Sequence, residues 1–272
     1  MKNLLEKISS LPYELQNEKE KILNTQKKYI EISLDKSDAL NYVSSKVGGI
    51  PYLPISVKYP LDKNGQPMEF LGQINFKDMP KLENYPTVGI LQFFISFEDW
   101  GLDYDEQLNS DIKVIYYENI EEDVQTEFSV LNKVRDEGNS PISKDEFKMS
   151  FSNSINEVTT SRDYRSYIEV DGNYQHYLNF NQYGEVRGEE LEMAYWDTFS
   201  SKGHKIGGYA DFTQQDPRFY ENKEYTELLF QLDSDFKANI LWGDNGIANF
   251  FIKKEDLKNR DFSKVLYNWD CY

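Results

Sequence analysis

The sequence predicts an α+β fold that is predominantly antiparallel β and consists of two similar β-rich units with N-terminal helices. Two observations lead to this prediction. Short runs of β-forming residues recur between Gly, Pro, Asn and Asp along most of the chain, and three sequence blocks occur twice in the same order. With 17 Phe, 20 Tyr and 4 Trp among 272 residues, we expect a core rich in aromatic side chains.

The first 30 residues favour helix. Apolar residues from Leu4 to Ile30 are spaced mostly by three, four or seven positions, and Pro12 interrupts the pattern. This spacing predicts two amphipathic helices with a break at Pro12. Tyr29–Leu34 then alternates apolar and polar residues, which predicts a strand.

Most of the remaining chain is predicted to be antiparallel sheet. The predicted strands are Phe70–Phe76, Ile90–Phe97, Ile112–Tyr117, Phe147–Phe151, Leu228–Asp233, Ala248–Ile252 and Val265–Trp269. Leu191, Tyr195, Trp196 and Phe199 follow helical spacing, so Glu189–Ser200 is predicted to be a helix. Asp136–Pro141 is typical of an exposed turn.

The repeated blocks predict an internal duplication. Lys46–Gly49 (KVGG) recurs 159 positions later as KIGG, Phe70–Asn75 (FLGQIN) recurs 158 positions later as LLFQLD, and Gly89–Asp99 recurs 157 positions later. An offset that drifts by so little is hard to obtain without duplication. We therefore expect one domain over residues 1–272, with helices in 1–30, a first unit at about 30–140 and a second at 160–272.

Composition narrows the classes of partner and chemistry. The formal net charge of −17 opposes binding to nucleic acid and to anionic membranes and favours a basic protein partner. One Cys and two His give little material for a metal site or a catalytic pair, so we expect no metal and no cofactor. No apolar run is long enough for a membrane span or a signal peptide, which predicts a cytoplasmic protein.

The repeated blocks also resemble a known family. The motifs KVGGIPYLP, FLGQINF, GILQFFISFEDWG, HKIGGYADFTQQDPR, LLFQLDSD, WGDNGIANFFIKKEDL and DFSKVLYNWDC, in this order, are similar to those of the YwqG-like family of bacterial proteins. The resemblance covers nearly all of the chain from about residue 30 onward. It implies a duplicated, largely β fold in a cytoplasmic bacterial protein and, by association with toxin systems, an immunity-like role, but no catalytic residues.

Seven residues are candidates for binding a ligand: Gly48, Gly49, Gln73, His204, Gly207, Gly208 and Gln231. Gly pairs let backbone N–H groups converge on an anion, although the sequence lacks the context of a phosphate-binding loop, so a structural turn is the commoner explanation. The two Gln residues occupy equivalent strand positions and can instead satisfy buried backbone groups. His204 stands where the first unit has Ser45, so it marks a difference between the units.

Four carboxylates, Glu118, Glu121, Glu122 and Asp123, are candidates for binding a partner, although a solvated acidic loop is the alternative. We favour a non-catalytic protein-interaction module with an acidic surface that binds a basic protein. The alternative is a small-molecule-binding module or an unrecognised hydrolase with its cleft between the repeats. The oligomeric state is left open by the sequence.

Overall fold

Ten strands follow one another across a large antiparallel sheet. The computed structural model describes residues 4–37, 40–103, 111–126 and 140–272. The strands in chain order are β1 Lys27–Lys36, β2 Lys46–Gly48, β3 Glu69–Asn75, β4 Ile90–Ile95, β5 Ile112–Tyr117, β6 Glu146–Phe151, β7 Ile155–Glu157, β8 Tyr167–Val170, β9 Asn173–His176, β10 His204–Gly207, β11 Glu227–Asp233, β12 Ile247–Ile252 and β13 Leu266–Asp270. The order across the sheet is β13-β12-β11-β10-β1-β6-β2-β3-β4-β5, with β7 paired to β1, while β8 and β9 form a separate hairpin. The predicted mostly antiparallel α+β architecture is confirmed.

The middle of the sheet has symmetric pairing. β1 pairs with β6 so that Ser33 faces Ser150, Ile32 faces Phe151 and Leu34 faces Met149. A shift of 117 positions maps β1 onto β6 and returns the same pairs, which places a local two-fold axis at Ser33 and Ser150. Each central strand then pairs outward in the same register, since Tyr29 faces Gly207 and Glu146 faces Gly48.

The outer strands of the two sides also correspond. We call β2–β5 with β6 the first half of the sheet, and β10–β13 with β1 the second half. In the first half the β3–β4 ladder shifts register between Phe70 and Gly72, and in the second half the β11–β12 ladder shifts between Leu228 and Phe230, each 158 positions later. Because a bulge sets the local twist and aim of a strand, the same bulge at the same place gives the halves the same curvature.

A shared aromatic core joins the halves. Phe93 of β4 packs against Phe230 and Phe250 of the second half, with ring centroids 4.8 Å and 4.9 Å apart. Both members of each Phe-Phe pair are buried, because β4 and β12 are covered on both faces. The opposite faces pack as smaller clusters, around Phe94 in the first half and around Phe251 in the second.

The N-terminal region differs from its prediction. Instead of two helices it forms three short ones, α1 Leu4–Ser9, α2 Tyr13–Gln16 and α3 Lys19–Leu23. The predicted break at Pro12 is present, but the chain turns again after Gln16, and the strand begins at Lys27 rather than at Tyr29. The apolar spacing is still satisfied, because each short helix directs a buried residue toward the same cluster.

That cluster is completed by the segment between the halves. This segment carries β7, the β8–β9 hairpin and helix α4, which spans Glu185–Thr198 and so begins and ends earlier than the predicted helix Glu189–Ser200. Leu191 and Tyr195 of α4, with Phe199 directly after it, belong to the same cluster as Ile8 and Ile22 from the N-terminal helices. A last helix, α5 Lys254–Asn259, follows β12. The predicted turn at 136–141 lies mostly outside the described residues, since 127–139 are not described.

Candidate functional site

The first Gly-Gly pair adjoins a buried ion pair. Gly48 and Gly49 have φ of +69° and +71°, which L side chains rarely adopt. The Glu146 carboxylate lies where a Cβ of Gly49 would stand. Glu146 accepts a hydrogen bond from Lys46 Nζ at 2.7 Å, and burial lowers the pKa of Lys46 against the opposing effect of this carboxylate. The space above this turn is therefore filled by an anion from the protein itself.

The second Gly-Gly pair repeats the arrangement with a different carboxylate. Gly207 and Gly208 have φ of +74° and +70°. The carboxylate of Glu157, on β7, would collide with a Cβ at Gly208. It accepts a hydrogen bond from the backbone N–H of Tyr209 at 2.6 Å, and both of its oxygens accept from Lys205 Nζ at 2.7 Å. This cradle does bind an anion, as such turns can, but the anion is a side chain of the same protein.

Gln73 and Gln231 use their side chains in the same way. Gln73 Oε1 accepts from the N–H of Tyr52, and its Nε2 donates to the carbonyls of Tyr42 and Ser44. Gln231 Oε1 accepts from the N–H of Asp211, and its Nε2 donates to the carbonyls of Ser201 and Gly203. Every partner in the second half is 159 positions after its counterpart. Both Gln side chains are fully buried, so they position the segments that precede and follow β2 and β10.

His204 and Ser45 perform one task with different chemistry. Ser45 Oγ accepts from the backbone N–H of Asn75, and His204 Nδ1 accepts from the backbone N–H of Asp233 at 3.1 Å. His204 Nε2 lies 3.5 Å from Asp235 Oδ2, and burial lowers the pKa of His204 despite the nearby carboxylates. His204 therefore positions the end of β11 rather than lining an open cleft.

The four predicted partner-binding carboxylates are exposed. Glu118, Glu121, Glu122 and Asp123 follow β5 and all face solvent. Glu118 forms an ion pair with Arg260 from the second half. The backbone N–H of Glu121 donates to Tyr52 Oη at 2.7 Å, which anchors this acidic segment on the first half.

A cavity that the sequence did not single out lies in the second half. We call it the acidic cavity. It occupies about 200 Å³ between α4, the segment after β10, the β11–β12 turn and the end of the chain. Its lining comprises Trp196, Lys202, Asp211, Phe212, Thr213, Asp233, Ser234, Asn245, Ile247 and Tyr272.

Asp211 is the unusual group of the acidic cavity. Its side chain is only 4% exposed, and its carboxylate accepts from the backbone N–H of Phe212. No Lys or Arg in the described part of the chain lies within 4.0 Å of it. Burial raises its pKa to about 6, nearby Asp233 adds to the rise, and the more distant cations of Lys202 and Arg162 oppose it. A buried carboxylate without an ion partner is costly to a fold and is therefore a signal of function.

Asp233 is the second carboxylate of the acidic cavity. It accepts from the backbone N–H groups of Gly203 and Ser234 at 2.7 Å and 2.8 Å, and burial raises its pKa. Two of the sequence-predicted residues form hydrogen bonds with the backbone of these two aspartates. Gln231 holds the backbone of Asp211, and His204 holds the backbone of Asp233. The predicted residues thus build the site without lining it.

Two tyrosines occupy matched positions in the first half. Tyr52 and Asp211 are counterparts, because their backbone N–H groups donate to Gln73 and Gln231, respectively. Tyr117 and Asp270 are also counterparts, because they face the matched residues Ile90 and Ile247. The rings of Tyr52 and Tyr117 pack edge to face with centroids 5.2 Å apart. Two interlocking tyrosines in one half are therefore replaced by two aspartates in the other. Asp270 is held by the N–H and Oγ1 of Thr213, which leaves Asp211 facing the cavity.

The sequence contained part of this signal. Asn75 and Asp233 end the second pair of aligned blocks, and Tyr52 and Asp211 lie three positions past the first pair. An aromatic residue replaced by an acidic one at a matched position could have been noticed. Tyr117 and Asp270 are separated by a different number of positions, because the loops between the strands differ in length. Their correspondence is visible only from the strand pairing.

A larger cavity of about 610 Å³ lies between the N-terminal helices and β7. Its walls are mostly apolar, from Leu4, Leu5, Leu23, Ile155, Val158 and Phe199, and Glu157 and Tyr29 form part of its polar side. Glu157 is already neutralised by Lys205, whereas burial and this carboxylate raise the pKa of Tyr29 to about 12. The cavity suits a mainly apolar molecule.

The fold and the cavities describe an antiparallel β protein with a candidate site for binding. Over residues 45–271 the chain matches the model of a family described as a domain of unknown function, DUF1963. Since this match covers most of the chain, the protein belongs to that family. No curated protein shows significant similarity to it.

The described residues contain neither a candidate membrane helix nor a candidate metal cluster. No helix among them is long and apolar enough to cross a membrane. In the same ranges, no group of three or more His, Cys, Asp or Glu side chains is arranged to hold a metal ion.

Proposed function

We propose that this protein is a non-catalytic interaction module that binds a basic protein, and that the acidic cavity receives a positively charged group of that partner. The observation that carries the proposal is the buried Asp211 carboxylate, which faces the cavity without an ion partner among the described residues. A cation entering the cavity would satisfy this carboxylate in a medium of low dielectric, where a charge pair is strong.

Two other features support the same partner. The net charge of −17 attracts basic proteins at long range. The exposed carboxylates Glu118, Glu121, Glu122 and Asp123 belong to this field, and their role in the proposal is to steer the partner rather than to hold it. Steering weakens as salt shortens the Debye length from about 10 Å at 0.1 M to about 3 Å at 1 M.

The test separates the cavity from the general charge. Binding of a fluorescent octalysine peptide is measured by anisotropy for three proteins: wild type, a cavity variant (Asp211→Asn with Asp233→Asn) and a surface variant (Glu121→Gln with Glu122→Gln). Both variants lose two carboxylates, so long-range attraction falls equally. We expect at least tenfold weaker binding for the cavity variant and less than threefold for the surface variant. Equal losses, or no binding by wild type at 50 mM salt, would reject the proposal.

A second candidate function rests on the larger cavity. Its volume of about 610 Å³ is in the usual range for small-molecule sites, roughly 300–1,000 Å³. It supports the alternative of a small-molecule-binding module or hydrolase, although it lies under the N-terminal helices rather than between the halves. Filling it with Leu23→Trp should leave octalysine binding unchanged if the acidic cavity is the site. A loss of peptide binding in that variant would favour the larger cavity.

The origin and location of the protein form part of the proposal. We infer an internal duplication from the repeated blocks, the shared bulge and the matched registers in which β1 pairs with β10 and β6 pairs with β2. On this view one domain spans 1–272. The YwqG-like assignment within the family, a bacterial cytoplasmic location and an immunity-like role follow from the sequence resemblance. A toxin with a basic surface would fit the proposed partner.

A further inference from the structure

We infer that the acidic cavity is built for a single alkylammonium group, namely a lysine side chain rather than an arginine. The inference rests on the proposed function and specifies the chemical group that the cavity takes. It starts from the acceptors that surround the empty volume.

The acceptors of the cavity come from three separate segments of the chain. Asp211 and Asp233 come from different segments, and each carboxylate is held by backbone N–H groups that fix its position. Asn245 lines the same volume and makes no hydrogen bond with the described residues. An ammonium has three donors around one compact charge and can reach acceptors on separate segments, whereas a guanidinium is best matched by two parallel acceptors in one plane.

The aromatic wall also disfavours arginine. The guanidinium of Arg162 lies 4.6 Å from the centroid of the Trp196 ring. Arginine gains much of its advantage at aromatic sites by stacking on a ring face, and here an arginine of the protein already covers one face. Trp196 and Tyr272 both line the cavity, and the alkyl stem of a lysine can pack against aromatic rings without stacking on a face.

The size of the cavity agrees with a single side chain. Its volume of about 200 Å³ is below the usual range for drug-sized molecules, which starts near 300 Å³. Lys202 also lines the cavity, and its ammonium forms no ion pair with the described residues. Because Lys202 carries the same ammonium group as the proposed ligand, it competes with an incoming lysine and limits the affinity of the cavity for it.

The same ammonium could come from a protein or from a free diamine. The experiment therefore compares octalysine, octaarginine and 1,5-diaminopentane, the last by competition against labelled octalysine. The proteins are wild type, Asp211→Asn and the charge-matched surface variant Glu83→Gln, whose residue is exposed and belongs to neither proposed binding region. Thermal melting checks that each variant is folded.

We expect wild type to bind octalysine at least fivefold more tightly than octaarginine, and Asp211→Asn to lose this preference while Glu83→Gln keeps it. Equal or tighter binding of octaarginine by wild type would overturn the inference and leave the proposed function standing, provided that the cavity variant still weakens binding. Binding of neither peptide would overturn both. Displacement of octalysine by micromolar diamine would assign the cavity to a free amine, which keeps the alkylammonium and rejects the protein partner.

Discussion

The two halves of the sheet share a scaffold and differ in what fills one pocket. Gln73 and Gln231 bond equivalent backbone groups, and each half buries a lysine against a glutamate behind its Gly-Gly turn. In the pocket under the segment that follows this turn, the first half packs two tyrosines and the second has carboxylates. Packed tyrosines stabilise a fold, whereas an unpaired buried carboxylate costs stability. The second half therefore carries a stability cost that the first half lacks, which is the cost expected if the proposed binding of a cation is correct.

The largest expected effect tests whether the halves share one core. Phe93→Ala and Phe250→Ala should each lower the free energy of unfolding by about 3–5 kcal/mol, because each removes a buried ring from the cluster between the halves. In urea, both variants should shift a single unfolding transition. Two transitions, of which Phe93→Ala moves only one, would show that the halves unfold independently.

The next effect tests whether the scaffold is equivalent. Gln73→Leu and Gln231→Leu each leave one backbone N–H and two carbonyls without a partner, so each should cost about 2–4 kcal/mol. Gln73→Leu also removes an acceptor of Gln92 Nε2, but that group keeps the carbonyl of Tyr52, so the two costs should agree within about 1 kcal/mol. The exposed Gln215→Leu is the control and should change stability by less than about 0.5 kcal/mol. Unequal costs would mean that only one Gln is structural.

A third effect belongs to the segment between the halves, which has no counterpart in the first half. His176 stacks on Phe180 with centroids 4.5 Å apart, and burial lowers its pKa to about 3 from 6.5. Because the folded value is lower, the unfolded chain takes up more protons, and the stability present above pH 6.5 is lost as the pH falls toward 3.

His176→Phe removes this titration. Between pH 7 and pH 5 the variant should lose about 2 kcal/mol less stability than wild type, measured by urea unfolding at each pH. The comparison uses the slope of the free energy of unfolding against pH, so it is not affected by a pH-independent cost of packing the larger Phe ring. Parallel slopes would place the acid sensitivity elsewhere, with buried His204 as the first candidate because burial lowers its pKa in the same direction.

The smallest effect has the opposite sign and tests the pocket directly. The pKa of Asp211 is raised to about 6 from 3.8, so its contribution favours folding below pH 3.8 and is lost as the pH rises through 6. Asp211→Asn should therefore be more stable than wild type by about 1–3 kcal/mol at pH 8 and show no gain at pH 3.5. A variant that is less stable at pH 8 would mean that the carboxylate has a partner and is structural.

The sequence predicted the architecture better than the site. All eight predicted strands are present, because alternation and turn residues indicate the pairing face and the strand ends locally. Five further strands, β2, β7, β8, β9 and β10, were not predicted, and each has only three or four residues. β2 and β10 also end in a Gly pair whose sequence is typical of a turn. The number of N-terminal helices was wrong because apolar spacing does not show where a short helix ends.

The predicted site residues were identified by their repetition. Gln73, Gln231 and the Gly pairs recur because both halves need them, so repetition selected residues of the scaffold. Asp211 was overlooked because it differs between the halves, and its lack of an ion partner is a property of packing that no local pattern records. The exposed carboxylates at 118–123 stay a prediction of partner binding.

The pairing of β1 with β10, and of β6 with β2, also affects how the protein folds during synthesis. β1 precedes β10 by many residues, yet the two strands pair, with Tyr29 facing Gly207. During synthesis this pairing can form only after β10 has been made. β2 likewise needs β6 before its second edge is covered. The first half can pair all of its strands once β6 has emerged, whereas the edge of β1 that pairs with β10 stays open until β10 is made. Such long-range pairing slows folding and exposes a strand edge in the meantime. The centre of the sheet is therefore completed only late in synthesis.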